Sequence, residues 1–515
     1  MVGHSVFTLT KAEKIIAWGL AGVSFFLHFF SNLTGGYGFF RDELYYIACS
    51  DHLAWGYVDQ PPLSLWVLKL SRLALGDSLA AIRFVPALAV AGTVFLTAKI
   101  AKELGGKEWA LFLASLAVVI SPIHLAMGGF YNMNPIDMFI WALAFYLVVR
   151  IINSRQATLW LWLGIVLGLG LLNKISVLFL GAGLFVGLLL TQREWLKTKW
   201  PYLAGSIAGI LFLPYILWNV FHDMAHLEFI HNASAGKYSG RSSLDFIGEV
   251  FTGLHPLNFP LWLAGLLALY FNGRLKPYRI LGWIFVTVFV ILLVNRTSKG
   301  EYLAAAFTGV FAAGGVFLEQ VLNRAYRRWA LYVYPSLMVI LTIIIVPLVL
   351  PVLPVDQYIQ YAKVLGHEPS SSENKKLSDL PQFYADMFGW KEKARDIAAV
   401  YNTLSPADKA KCAIFSNNYG RCGAIDFYGK AYGLPSSIGN HNNYWIWGPG
   451  DYTGEVMIIM GGSKEDHEGD FESVALVGKS ECNHCMPYEN GANIWVCRGL
   501  KKGLKEIWPD EKHYE

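Results

Sequence analysis

Eleven apolar runs of bilayer-spanning length fill the first 354 residues of this 515-residue chain. They lie at about 14–34, 82–101, 108–126, 135–151, 158–173, 176–191, 201–220, 257–272, 278–294, 301–320 and 329–350. A hydrocarbon core about 30 Å thick takes roughly 20 apolar residues in a helix, and lipid offers no water to an open backbone. The runs therefore predict a polytopic α-helical membrane protein with about eleven transmembrane helices. The divide between the fifth and sixth runs, at Asn173-Lys174, is the least distinct. Charged residues are 16% of the chain, against roughly 25% in soluble proteins, and the deficit falls in residues 1–354. A net charge of +4 gives no sign of nucleic-acid binding. The first run is too long for a cleaved signal peptide and lacks a clear small-residue cleavage site, so it stays as a helix.

Lysine and arginine in short loops set orientation. One set of connections holds sixteen, from Lys11 and Lys14 through Lys99, Lys102 and Lys107 to Arg324, Arg327 and Arg328. The other holds eight, in longer loops: Arg41, Lys69, Arg72, Lys174, Lys237, Arg241, Arg296 and Lys299. The first set is read as cytoplasmic. The N-terminus is then inside and, with eleven spans, the C-terminal portion is outside. Two long outer loops follow, 35–81 and 221–256, the first with an apolar stretch near 63–75 that suits a helix along the membrane surface.

Residues 355–515 read as a soluble α/β domain on the outer face. Residues 381–403 look helical, and runs at 411–416, 455–461 and 473–478 look like strands. Five of six cysteines fall here: Cys412, Cys422, Cys482, Cys485 and Cys497. An outer-face position favours disulfides, and an odd number leaves a thiol. Cys482-Asn-His-Cys485 also has the spacing of half a zinc site, without a second half.

Residues 38–65 carry the densest chemistry: Arg41, Asp42, Glu43, Asp51, His52 and Asp59 stand among aromatics where the chain leaves the first run. Ionisable groups at a membrane boundary are solvated, paired or used. Asp137, at the outer end of the fourth run, brings a third acidic segment to the same level. His222, His226 and His231 in the second outer loop can reach it too. Arg41, Lys174, Arg241, Arg296 and Lys299 collect there as cations. Acids able to take a proton beside cations able to hold phosphate suit group transfer from a lipid phosphate. The plainer roles are local: Asp42 as a helix N-cap, Asp59 as a turn former, Asp137 as a cap behind Pro135, and Lys174 reaching to the interface.

An acidic pair after the first span, Asp42-Glu43, followed by Asp59-Gln60-Pro61-Pro62-Leu63 in the first outer loop, resembles the protein O-mannosyltransferase superfamily, which includes the lipid A aminoarabinose transferases. Ser416–Gly420, 424–429 and 441–449 in the outer domain resemble its prokaryotic family-39 glycosyltransferase branch. The resemblance covers nearly the whole chain. It implies a GT-C fold, a polyprenyl-phosphate-linked sugar as donor and inverting transfer to an acceptor hydroxyl on the extracytoplasmic face. By match, Asp42 is the base and Glu43 its neighbour. Asp59 and Asp137 are the family's other acidic positions, and Gln60 stands where the lipid A branch has lysine. That branch also sets loop histidines and an acid around a metal. Here Asp59 with His226 or His231 and His441 are the candidates, and a divalent ion stays open. The sugar and the acceptor (protein, lipid or glycan) are not readable. A transporter and a non-catalytic scaffold are the competing readings. A transporter places its site near the midplane between repeats, whereas the acids here gather at one face and no internal repeat is visible.

Overall fold

A computed structural model describes residues 8–236, 242–295, 298–324, 326–371, 373 and 375–515. Each of the eleven apolar runs falls on helix. Seven helices are long and apolar enough to cross a membrane: Lys11–Thr34, Leu79–Glu103, Met133–Ser154, Trp200–Phe221, Lys276–Val294, Gly300–Leu322 and Ala330–Val349. Two more spans form only if bent pairs are joined, Glu108–Val119 with Pro122–Gly128 at 61° and Ser243–Gly253 with Pro256–Phe271 at 89°. The runs on either side of Asn173-Lys174 become Leu159–Asn173 and Val177–Thr191, 15 residues each. Each rises about 22 Å, short of a full hydrocarbon core. Length and composition thus support seven to nine spans among the described residues, where the apolar runs alone suggested eleven.

Small residues allow the closest helix contacts. Gly164 and Gly168 face Ala204 and Ala208 on Trp200–Phe221, and a Cβ added at Gly164 would lie 2.6 Å from the Ala204 carbonyl oxygen. Such surfaces let helices meet without a hydrophobic driving force between them.

The small C-terminal sheet domain has five strands: β1 (Cys412–Ser416), β2 (Ile438–Gly439), β3 (Val456–Met460), β4 (Phe471–Ser480) and β5 (Ala492–Leu500), in the order β2-β1-β3-β5-β4. β1 is parallel to β2 and β3, and β5 is antiparallel to β3 and β4. The three strands expected from the sequence are β1, β3 and β4, and the helix expected over 381–403 is Trp390–Thr403 preceded by a turn at Gln382–Ala385. The sequence reading lacked β5 and the helix Tyr419–Tyr428. That helix lies directly on Arg41–Asp51: a Cβ at Gly423 would sit 2.8 Å from the Leu44 carbonyl. Tyr45, Tyr57, Tyr131, Trp390, Tyr419 and Tyr444 bury together across this junction, which fixes the sheet domain over the loop at 35–81. Cys482 and Cys485 form a disulfide, which sets aside the half zinc site, and Cys49, Cys412, Cys422 and Cys497 are buried free thiols.

Candidate active site

Arg41–Asp51 begins as soon as the chain leaves the first span. Phe40 is its N-cap and Asp42 its second residue, so Asp42 is not the cap. Its carboxylate lines a cavity of about 530 Å³ between the helices and the sheet domain. Asp42 Oδ1 accepts from Tyr419 Oη at 2.9 Å and from Arg41 Nε at 3.3 Å, and Oδ2 has no partner among the described residues. The side chain is 34% exposed. Arg41 is buried and clamped by carboxylates, 3.2 Å from Glu373 and 3.7 Å from Asp386.

Glu43 has a different place. It is fully buried, does not line the cavity, and has both oxygens occupied. Arg83 Nη2 donates at 2.7 Å and Arg83 Nε at 2.9 Å. The backbone NH groups of Tyr131 and Phe40 donate at 2.7 and 2.8 Å. Arg83 also donates to Asn32 Oδ1 and the Gly38 carbonyl, both at 2.9 Å. This junction joins the helix Lys11–Thr34, the loop that follows it and the helix Leu79–Glu103. Glu43 is thus tied into the fold beside Asp42, behind the cavity wall.

Asp59, Gln60, Lys174 and Lys299 all line the Asp42 cavity. Tyr45 Oη donates to Asp59 Oδ1 at 3.0 Å. The Gln60 side chain is buried, and both its amide oxygen and nitrogen lack partners among the described residues. Lys174, at the break after Leu159–Asn173, donates to Asn134 Oδ1 at 2.6 Å and lies 4.8 Å from the Tyr302 ring centre. It therefore turns into the cavity. Asp137 sits behind the wall, bonded by Trp141 Nε1 and by Ser176 Oγ, whose residue does line the cavity. The cap expected of Asp137 is supplied by Asn132. Arg241 and Arg296 lie outside the described residues. Phe40, Ile175, Phe179, Phe229, Ile230 and Leu292 give part of the wall an apolar surface, beside polar side chains that include Asn132, Ser298, Glu301 and Gln382.

The histidines separate. His226 lines the cavity, with Nδ1 2.9 Å from the Val58 carbonyl and Nε2 buried without a partner among the described residues. Burial lowers its pKa, so the ring is neutral. His231 is exposed, and His441 lines a second cavity instead. Among the described residues no three of His, Cys, Asp and Glu come together as a metal site. The donor set expected from Asp59, His226, His231 and His441 is not assembled.

Asp386, beneath Arg41, has its pKa pushed up to about 7, first by burial, with Arg41 opposing. A carboxyl held above its unfolded value favours the fold while protonated. That contribution fades as pH rises from about 4 through about 7. Asp386→Asn should therefore gain thermal stability relative to wild type as pH rises across this range. A constant difference in melting temperature between the two proteins from pH 4 to 8 would show that Asp386 does not titrate there.

Residues 59–218 match the family described as dolichyl-phosphate-mannose-protein mannosyltransferase. A lipid A galacturonosyltransferase, RgtD, from Rhizobium johnstonii is 26% identical over 298 residues, which is 56% of this chain and 61% of RgtD. The chain thus spans about three fifths of that curated relative. ArnT from Cupriavidus metallidurans, solved with undecaprenyl phosphate, superposes with a TM-score of 0.62 at 14% identity, covering 93% of this chain and 97% of that one. This chain has a GT-C glycosyltransferase fold. The apo form of the same ArnT gives a TM-score of 0.59 at 13% identity over 93% and 96% of the two chains. The resemblance to the protein mannosyltransferases thus has a sequence match over residues 59–218, and the apolar helices make the chain a multi-pass membrane protein. The transporter and scaffold readings gain no support from these relatives.

Proposed function

We propose that the protein transfers a sugar from a polyprenyl-phosphate carrier to an acceptor hydroxyl on the extracytoplasmic face, with its N-terminus in the cytoplasm and its sheet domain outside. The observation that carries this reading is the Asp42 cavity, which unites a carboxylate oxygen unpartnered among the described residues, a lysine and apolar side chains. The apolar side chains on its wall suit a prenyl tail. Lys174 and Lys299 suit its phosphate. The unpartnered Gln60 amide and His226 Nε2 suit sugar hydroxyls, since buried polar groups are otherwise costly.

The chemistry needs few parts. The acceptor oxygen attacks the anomeric carbon, and Asp42 Oδ2 takes the hydroxyl proton. The bond from that carbon to the phosphate oxygen breaks with inversion. The cations stabilise the charge left on the polyprenyl phosphate. No acid is required at the leaving group, unlike a glycosidase with its matched carboxyl pair. Arg41 and Tyr419 hold Asp42 Oδ1 and so orient the carboxylate.

Lys174→Met should weaken undecaprenyl phosphate binding about tenfold or more, the scale of a lost charge-assisted hydrogen bond. Titration of the lipid into nanodisc-embedded protein measures this. Equal affinity in wild type and variant would remove Lys174 from the phosphate site.

A further inference from the structure

A second cavity, also about 530 Å³, opens in the sheet domain at the carboxyl ends of β1 and β3. Those strands are parallel neighbours with Ser416 opposite Met460. The chain leaves β1 through Asn417-Asn418 and leaves β3 through Gly461-Gly462. β1 connects to β2 on one side, while β3 lies on its other side, so the crevice is a switch point in the strand order. Ligands of open parallel sheets bind at such points. The glycines keep the mouth open: both have positive φ, and a Cβ on Gly461 would meet Arg421 Nη1 at 2.6 Å.

The lining argues for a neutral, hydroxyl-rich ligand. Arg41, Lys375 and Arg421 are balanced by Glu373, Glu489 and Glu515. Arg421 is engaged by Glu489 at 2.8 Å. The helix Tyr419–Tyr428 that starts here is already capped by Asn418, which accepts from Gly420 N and Arg421 N, so no anion is invited. The amide of Asn417, Oδ1 of Asn493, whose Nδ2 donates to the Gly462 carbonyl at 3.0 Å, and the ring of Tyr488 remain on the wall, a combination that meets sugar hydroxyls and sugar faces.

Arg41, Glu373, Tyr419 and Glu515 line both cavities. Tyr419 also donates to Asp42. A ligand in the sheet cavity thus stands one side chain away from the base. We infer that the sheet cavity is the acceptor site and that it takes a saccharide, whose hydroxyl reaches Asp42 past Tyr419. The inference rests on the transferase reading and deepens it.

Saturation-transfer NMR on the full-length protein in nanodiscs, with free glucosamine, galactose, mannose and their β-linked disaccharides as probes, tests it. At least one sugar is expected to bind wild type. Asn417→Trp on the β1 loop and Asn493→Leu on β5 should each weaken that binding about tenfold, the scale of one or two lost hydrogen bonds. Undecaprenyl phosphate binding, read on the same samples, reports that both variants are folded. Absence of binding by every probe, or equal binding in folded wild type and both variants, overturns the site. Release of sugar from the lipid carrier by wild type is measured separately, so failure of the acceptor site and failure of the transferase reading are distinguishable.

Discussion

Arg83→Leu is expected to destabilise the protein by about 3–5 kcal/mol, the cost of leaving a buried carboxylate without its cation. Glu43 and Arg83 have side-chain exposures of 0% and 1%. The Leu substitution leaves Glu43 with two backbone donors and no charge partner. It also frees Asn32 and the Gly38 carbonyl, so the exit of the first span loosens as well. The double change Glu43→Gln with Arg83→Leu should recover part of the loss, since no charge is then left buried. Chemical unfolding in mixed micelles reads both. An Arg83→Leu protein as stable as wild type would mean that Glu43 is solvated or protonated in the fold. Glu43→Gln alone should lose stability too, while the folded fraction keeps turnover, which separates a positioning residue from a catalytic one.

Asp42→Asn is expected to lower kcat by about 10²–10⁴-fold, the range removed with a general base. Asparagine retains an oxygen for Tyr419 and Arg41, so the fold and the affinity for undecaprenyl phosphate should stay as in wild type. The loss should therefore appear in kcat and kcat/KM alike, as for an interaction made only in the transition state. A variant that turns over normally would exclude Asp42 as base and direct attention to Asp59, the next carboxylate on the cavity wall.

The helical membrane architecture was legible because apolar runs report lipid burial directly. The number of crossings was not, because a run records apolarity and not whether the helix is bent or too short. The runs bracketing Lys174 illustrate this: 158–173 and 176–191 were read as spans although the helices they form, Leu159–Asn173 and Val177–Thr191, are short for a full crossing. Among the site residues, Asp42, Asp59 and Lys174 were found from charge placed against an apolar background. Arg83 was overlooked although Ala-Ala-Ile-Arg83-Phe-Val-Pro carries the same signal; an arginine inside a span calls for a buried acid, and that acid is Glu43. Tyr419, Glu373 and Asp386 reach the site from more than 300 residues away, and nothing local in the sequence encodes that approach. The histidines misled because loop residues with no periodicity have no readable direction. His226 turned inward against Val58, His231 stayed exposed, and His441 joined the other cavity.

The most direct measurement is a time course with nanodisc-embedded protein, a panel of undecaprenyl-phosphate sugars labelled on the sugar, and a cell-envelope extract as acceptor. The account predicts that label leaves the carrier for one donor, that undecaprenyl phosphate appears in equal amount, and that Asp42→Asn does neither. Label that remains on its lipid for every donor that the wild-type protein binds would contradict it.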